Sequence, residues 1–200
     1  LGNQSWGYSF TRGFLNVSNG TLEACLNGLT IGTIGNASYT PQTGSGVIEM
    51  RNALPSTIDV TGNVSIASVA WTTGMVYLGA TTTRINGNAT IGAAADSLGV
   101  VELYRGTMFG VSNTLTVNAT GSITNHLQGV SAGIDLGPSA TLTVNGKVHL
   151  SFEANPPNEY WYWGLRWTGS HSNALQTLHD SGKLTWDDSG TSLPGSTHIY

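Results

Sequence analysis

Apolar residues alternate with Thr, Ser and Asn along most of the first 150 positions. One segment recurs at residues 46–50 (GVIEM), 74–78 (GMVYL) and 99–103 (GVVEL), with a shortened fourth copy at 133–136 (GIDL). A period of two is typical of a β-strand that buries one face. The recurrence predicts that the same strand is repeated along the chain.

A second segment, with a central glycine, lies between these copies. Its clearest copies are residues 58–66 and 142–150, and the central glycines are Gly62, Gly87, Gly121 and Gly146, which are 25, 34 and 25 residues apart. Short strands, glycine bends and a period near 25 residues are typical of a parallel β-solenoid. We therefore predict an all-β fold, a single-stranded parallel β-helix of about five rungs over residues 15–154. A β-sandwich would also accommodate short alternating strands, but the regular spacing favours the solenoid.

The alternation assigns side chains to columns that run along the solenoid. Adjacent strands lie ~4.8 Å apart, so each side chain stacks on its counterpart in the next rung. The outward column is predicted to hold Glu49, Tyr77, Glu102 and Asp135. Glu102 and Asp135 would then be neighbours, close enough to raise a pKa or attract a cation. A solvated sheet face is the simpler interpretation, and no metal site is predicted because calcium needs about six oxygen ligands or more.

The repeated sequence pattern does not extend to either end of the chain. Residues 155–200 follow a proline pair, contain a Trp-rich stretch at 160–167 and predict one short helix within 170–182, as a C-terminal cap for the solenoid. Residues 1–14 predict an N-terminal strand that either caps the first rung or contacts another subunit. Six aromatic residues are candidates for capping, carbohydrate binding or subunit contact: Trp6, Tyr8, Phe10, Trp161, Trp163 and Trp167.

Composition narrows the possible functions. Charged residues make up only 9% of the chain, with seven Lys and Arg and a net charge of −4, which argues against nucleic-acid binding. No apolar run reaches the ~18–20 residues of a membrane-spanning helix. The single cysteine, Cys25, excludes an internal disulfide. The chain starts without Met or a leader, so we expect a mature or trimmed product, compatible with secretion.

Seven Asn-x-Ser/Thr sequons are candidate glycan acceptors in an exported protein. Asparagine also suits solenoid turns and ladders, which is the simpler interpretation of the number of sequons. The asparagines of the seven sequons are Asn3, Asn16, Asn19, Asn36, Asn63, Asn88 and Asn118.

The C-terminal segment resembles a known family. Residues 163–167 (WGLRW), 169–171 (GSH) and 175–184, which end in GKL, are similar to the corresponding region of PEP-CTERM-type, exosortase-sorted bacterial surface and matrix proteins. The resemblance covers about 40 residues, and the Pro-Glu-Pro sorting box does not occur in this sequence. It implies export and an extracellular structural or adhesive role, and it provides no catalytic residues to transfer.

We therefore expect a non-enzymatic extracellular or cell-surface protein, a self-assembling subunit of a filament, surface layer or matrix. Copies of the chain would meet head to tail by strand addition at the solenoid ends. No cofactor is expected. One alternative is a carbohydrate-binding adhesin. The other is a polysaccharide lyase or hydrolase that uses Glu102 and Asp135, with Arg105 as the nearest base in the sequence.

Overall fold

The structure is a computed structural model of the 200-residue chain. It describes residues 11–33, 43–67, 69–93, 95–126, 132–151, 154–155, 160–161, 164–167 and 172–187.

The described strands form three parallel sheets and one short antiparallel pair. The first sheet contains, in spatial order, β1 (Thr11–Asn16), β4 (Gly44–Met50), β7 (Thr72–Leu78), β10 (Leu98–Leu103), β13 (Gly121–Asn125), β16 (Lys147–Ser151) and β20 (Leu184–Asp187). The second contains β2 (Glu23–Leu26), β5 (Ser56–Val60), β8 (Thr81–Ile85), β11 (Met108–Val111), β14 (Gly133–Leu136) and β19 (Leu165–Trp167). The third contains β3 (Leu29–Ile31), β6 (Val64–Ile66), β9 (Ala89–Ile91), β12 (Thr114–Val117) and β15 (Thr141–Val144). The antiparallel pair is β17 (Ala154–Asn155) with β18 (Tyr160–Trp161), and α1 is Ser172–Asp180.

The chain visits the three sheets in turn, which makes the molecule a β-solenoid as predicted. Five coils, from β1–β3 to β13–β15, each add one strand to every sheet, so four full turns separate the first coil from the fifth. Val76 pairs with Val101 in one parallel sheet, which excludes the sandwich alternative, in which the two would face each other from separate layers.

The interior consists of apolar columns that run along the solenoid. In the first sheet, Ile48, Val76, Val101, Ile123 and Val148 lie in register in successive strands, and all are buried. Each buried Val or Ile contributes about 1.5–3 kcal/mol relative to an exposed side chain. Regular burial of every second residue therefore holds the coils together without a disulfide.

The predicted fourth copy of the first segment, residues 133–136, is wrong. Those residues form β14 of the second sheet, whereas the strand that stacks on β10 is β13. The reason is the tight corner between the third and first sheets, where an inward Cβ on Gly121 would lie 2.2 Å from the carbonyl oxygen of Ile91. A Cβ on Gly74 or Gly99 would likewise lie less than 3 Å from backbone atoms elsewhere in the chain. The actual glycine column consists of Gly13, Gly46, Gly74, Gly99 and Gly121.

The glycines of the second segment occupy two corners rather than one. The Gly87 N–H donates to the Gly62 carbonyl over 3.1 Å, at the corner between the second and third sheets. Gly121 and Gly146 lie at the corner between the third and first sheets, where β13 and β16 begin. The 34-residue interval thus joins two different corners, and residues 142–150 are not equivalent to residues 58–66.

Strand pairing continues across both limits that the sequence analysis gave for the solenoid. Residues 11–14 belong to β1 and pair with β4 of the same chain, so the solenoid includes part of the expected N-terminal arm. At the other end, β19 and β20 extend the second and first sheets beyond residue 154.

The predicted helix is present as α1. Its Leu175 is buried in the core, and it ends in a Schellman motif. Lys183 N donates to Leu178 O over 3.0 Å, and Gly182 N donates to His179 O over 2.8 Å. Among the described residues, no helix is both long and apolar enough to cross a membrane.

Candidate functional site

The outward face of the first sheet carries most of the charged and aromatic side chains that were predicted to form a column. Glu49, Tyr77 and Glu102 occupy successive strands in register, as predicted. Thr124, and not Asp135, is the next member. The Cα atoms of Glu49 and Glu102 are thus separated by two strand spacings, about 9–10 Å.

Asp135 lies on the second sheet, so the predicted Glu102–Asp135 pair does not exist. Its strand pairs with β19, which places Arg166 beside it. Arg166 Nε donates to Asp135 Oδ1 over 2.8 Å, and Nη2 donates to Oδ2. This two-point hydrogen bond raises the pKa of Arg166. Asp135 is therefore neutralised by a local partner and is not poised to attract a cation.

Arg51 connects two members of the column. Its Nη2 donates to Glu49 Oε2 over 2.6 Å and its Nε donates to Oε1 over 3.0 Å. The hydrogen bond with Glu49 raises the pKa of Arg51. The guanidinium carbon also lies 4.2 Å from the centre of the Tyr77 ring, a cation–π contact. One turn residue therefore ties two adjacent coils together on the outside.

A second group surrounds Glu102. The Tyr104 hydroxyl donates to Glu102 Oε2, and the His126 ring stacks on the Tyr104 ring with centroids 4.6 Å apart. His126 Nε2 lies 3.4 Å from Glu102 Oε2, within ion-pair range when the imidazole is protonated. Burial, followed by the hydrogen bond to Glu102, raises the pKa of Tyr104 to about 12.

These six residues form one outer cluster: Glu49, Arg51, Tyr77, Glu102, Tyr104 and His126. Both carboxylates in it are held by neighbours, and a ring or a guanidinium covers one face of each tyrosine. The cluster therefore provides a cross-coil brace on the surface.

Arg51, Tyr104 and His126 were missed by the sequence analysis. Arg51 and Tyr104 lie two residues after Glu49 and Glu102, so the same alternation, extended one step further, points to them. Arg105, the expected base, lies exposed in the turn after β10 and forms no ion pair with any residue in the described ranges. Within those ranges, no three His, Cys, Asp or Glu side chains are grouped to hold a metal, and Cys25 is a free, exposed thiol.

The candidate aromatic contacts are only partly described. Trp6, Tyr8, Phe10 and Trp163 lie outside the described residues, and Trp161 belongs to β18. Trp167 is buried and pairs with Leu136 across the second sheet. Its ring thus belongs to the core at the C-terminal end, as a cap residue does, and presents no surface to a carbohydrate.

The sequons lie mostly on the surface. Asn16, Asn19, Asn63 and Asn88 are exposed and Asn118 is half-buried, while Asn3 and Asn36 are outside the described residues. Asn16 Oδ1 accepts hydrogen bonds from the Ser18 N–H over 2.8 Å and from its hydroxyl over 2.6 Å. Asn63 Oδ1 accepts from the Asn88 N–H of the next coil over 2.9 Å. The side-chain oxygen of Asn16 thus stabilises a turn, and that of Asn63 binds the backbone of the next coil.

The N-terminal end of the solenoid is less enclosed than the rest. Leu26 and Leu29 point inward in the first coil but are only half-buried, whereas their partners Val60 and Val64 in the second coil are buried. Among described residues, β1, β2 and β3 each pair with one strand only, that of the second coil. Pairing between the described strands thus ends at the first coil, beside apolar side chains that are not fully covered.

Comparison with family models, characterised proteins and solved structures gives no match, so the functional argument comes from the chain's own residues.

Proposed function

We propose that the protein is an extracellular structural subunit whose copies associate through the N-terminal end of the solenoid. The observation that carries this proposal is the half-burial of Leu26 and Leu29 at the edge of three parallel sheets. Full burial of an exposed leucine contributes about 1.5–3 kcal/mol, and covering the part of Leu26 and Leu29 that is still exposed contributes a fraction of that. Pairing of the edge strands adds backbone hydrogen bonds at the same contact.

The two ends of the solenoid differ, and this difference selects the mode of contact. At the C-terminal end, Leu165, Trp167 and Leu184 are buried although they belong to the last strands. A head-to-tail contact would have to displace the groups that enclose them. We therefore favour contact between two N-terminal ends over the head-to-tail contact expected from the sequence. Such a contact is two-fold and uses the same surface on both subunits.

The charge distribution is compatible with close approach of two copies. Only 9% of the residues are charged, and the net charge is −4 over 200 residues. Repulsion between copies is correspondingly weak at physiological ionic strength, where the Debye length is about 8 Å. An abundance of Ser and Thr on the outward faces, with few cations, also suits an exported protein that binds neither nucleic acid nor acidic membrane surfaces.

Sedimentation velocity over a range of protein concentrations tests the association. The wild-type chain is expected to form a dimer of twice 20.9 kDa, and Leu26→Lys is expected to remain monomeric because it places a charge in the contact. Leu98→Lys is the matched control, since Leu98 is already 45% exposed on the side of the solenoid. Circular dichroism confirms that each variant is folded.

Three results would contradict this proposal. The first is a wild-type chain that stays monomeric at every concentration, and the second is a Leu26→Lys variant that associates as strongly as the wild type. The third is a chain that dimerises only after deletion of residues 1–10, because the protein's own N-terminal segment would then be the cover.

The extracellular location is tested separately in the native host. Labelling of intact cells with a membrane-impermeant amine reagent is expected to modify Lys147, which is exposed on β16. Labelling only after cell lysis would contradict an extracellular location.

A further inference from the structure

A cleft opens beside the corner at which the strands of the first sheet begin. Its volume is about 410 Å³, within the usual range of ~300–1,000 Å³ for ligand sites. It crosses four coils, because its walls come from the starts of β1, β4, β7 and β10 and the turns that precede β7 and β10. The lining residues used in the argument are Arg12, Thr43, Ser45, Trp71, Asp96 and Leu98. None of them belongs to the outer cluster.

Trp71 has a backbone conformation that its side chain does not favour. Its φ is +64°, in the left-handed region that bulky residues seldom adopt, and Asp96 in the next coil has a φ of +58°. The two are linked by a hydrogen bond from Trp71 N to Asp96 O of 3.0 Å. Strained residues of this kind are concentrated at ligand sites. Glycine would satisfy the turn, so the fold itself does not account for a tryptophan here.

The Trp71 side chain is also only partly covered by the rest of the molecule. The residue is 49% exposed, one of the four large hydrophobic residues on the described surface. Leu98, at 45% exposure, lies in the same cleft. A rigid aromatic face in a concave site provides apolar contact area at low entropic cost.

The polar groups of the cleft complement that ring. Arg12 offers a fork of N–H donors and Asp96 offers a carboxylate acceptor, and neither forms an ion pair with any residue that the structure describes. Thr43 and Ser45 add hydroxyls that both donate and accept. The charges of Arg12 and Asp96 cancel, so the cleft has no net attraction for an acidic or a basic ligand.

The geometry points to a binding site for a neutral polysaccharide, with a sugar face stacked on Trp71 and sugar hydroxyls bound by Arg12 and Asp96. A chain of neutral sugars presents apolar C–H faces between hydroxyls, which matches a ring flanked by donors and acceptors. The cleft crosses several coils and is open, so an extended chain can lie in it. The proposal does not rest on subunit association: Trp71, Asp96 and Leu98 lie on the third and fourth coils, and among these lining residues Arg12 alone lies on β1, the edge strand of the first coil.

Affinity electrophoresis of the full chain in gels containing soluble neutral polysaccharides (a β-glucan, a xylan, a mannan and a galactan) tests the proposal. Retardation by at least one of them is expected. Trp71→Gly is expected to weaken that binding at least about tenfold, while its melting temperature stays equal or rises because glycine adopts the left-handed turn freely. Asn19→Gly is the matched control, since Asn19 has a φ of +60° and is exposed but does not line the cleft.

Three results would overturn the assignment. One is that none of the four neutral polysaccharides retards the wild-type chain. Another is that Trp71→Gly and Asn19→Gly bind equally well. The third is that a polyuronate retards the chain and the neutral polymers do not. The monomeric Leu26→Lys variant is expected to bind as the wild type does, so a failure of assembly and a failure of carbohydrate binding are distinguishable.

Discussion

Replacement of Thr83 by valine is expected to stabilise the protein. Thr83 is on β8 and points into an apolar column between Ile58 and Phe109 of the adjacent coils. Its side-chain oxygen is buried without a hydrogen-bond partner. The adjacent gap in the core is only about 20 Å³, and apolar side chains line almost all of it, so a water molecule there would lack polar partners.

The magnitude follows from the burial. A buried hydroxyl without a partner costs about 1–3 kcal/mol, and valine has nearly the same shape without the hydroxyl. Thr83→Val should therefore raise the free energy of unfolding by about 1 kcal/mol. For a chain of this length the melting temperature should rise by about 2–4 °C.

Thr81 is a matched control on the same strand. It is also buried, but its hydroxyl donates to the Gly79 carbonyl over 2.9 Å. Thr81→Val should lower the free energy of unfolding by about 1 kcal/mol. Urea unfolding followed by circular dichroism measures both variants. A Thr83→Val variant that is less stable than the wild type, or two variants that shift in the same direction, would refute the reasoning.

Three further predictions concern packing, the buried amide and pH. Gly74→Ala should lower the free energy of unfolding, measured in urea, by about 2–3 kcal/mol, because its Cβ would lie 2.7 Å from a backbone oxygen of another coil. Gly20→Ala is the control and should lower it far less, because its Cβ would lie 3.6 Å from the nearest atom. Asn125→Leu should lower the free energy of unfolding by about 2 kcal/mol, and the melting temperature by several degrees, because a leucine removes the hydrogen bonds of the buried amide to the carbonyls of Ala132 and Ser151 and from the Ser151 N–H. Stability should fall as pH rises from about 10 towards 12, because the unfolded chain ionises its tyrosines first while Tyr104 in the folded chain keeps its proton to about 12. The measurement is the free energy of unfolding in urea at a series of pH values. Tyr104→Phe should reduce its fall between about pH 10 and 12, and an unchanged dependence on pH would contradict the prediction.

The period-two alternation was sufficient to predict strands, columns and the solenoid, because burial of alternate residues is a local property. It was not sufficient to assign strands to sheets. Residues 121–125 keep the phase of the repeated segment, with Ile123 two positions after Gly121 as Ile48 follows Gly46. Ser122 and Asn125 stand where the other copies have apolar residues, however, so the more apolar residues 133–136 resemble the segment more closely in composition although their alternation is out of phase. The close approach of the Ile91 carbonyl to Gly121 distinguishes the two segments, and it depends on a tertiary corner.

Of the two candidate sites, one could be predicted from the repeated pattern and the other could not. The Glu49–Tyr77–Glu102 column could be predicted from the sequence because its members occupy equivalent places in one repeated strand. The Trp71 cleft could not, since it depends on the backbone conformation of two turns and on the side chains at the starts of four strands. Turn conformation at a non-glycine residue has no periodic signal.

The in-register stacking of the coils is tested most directly by paired cysteines in a Cys25→Ser background. Glu102 and Thr124 are partners in adjacent parallel strands, where the Cα separation of ~4.8 Å permits a disulfide. Glu102→Cys with Thr124→Cys is expected to form an intramolecular disulfide on mild oxidation, measured as a mass loss in the intact monomer. Glu102→Cys with Asp135→Cys is expected to stay reduced. A disulfide in the second pair but not in the first would contradict the account.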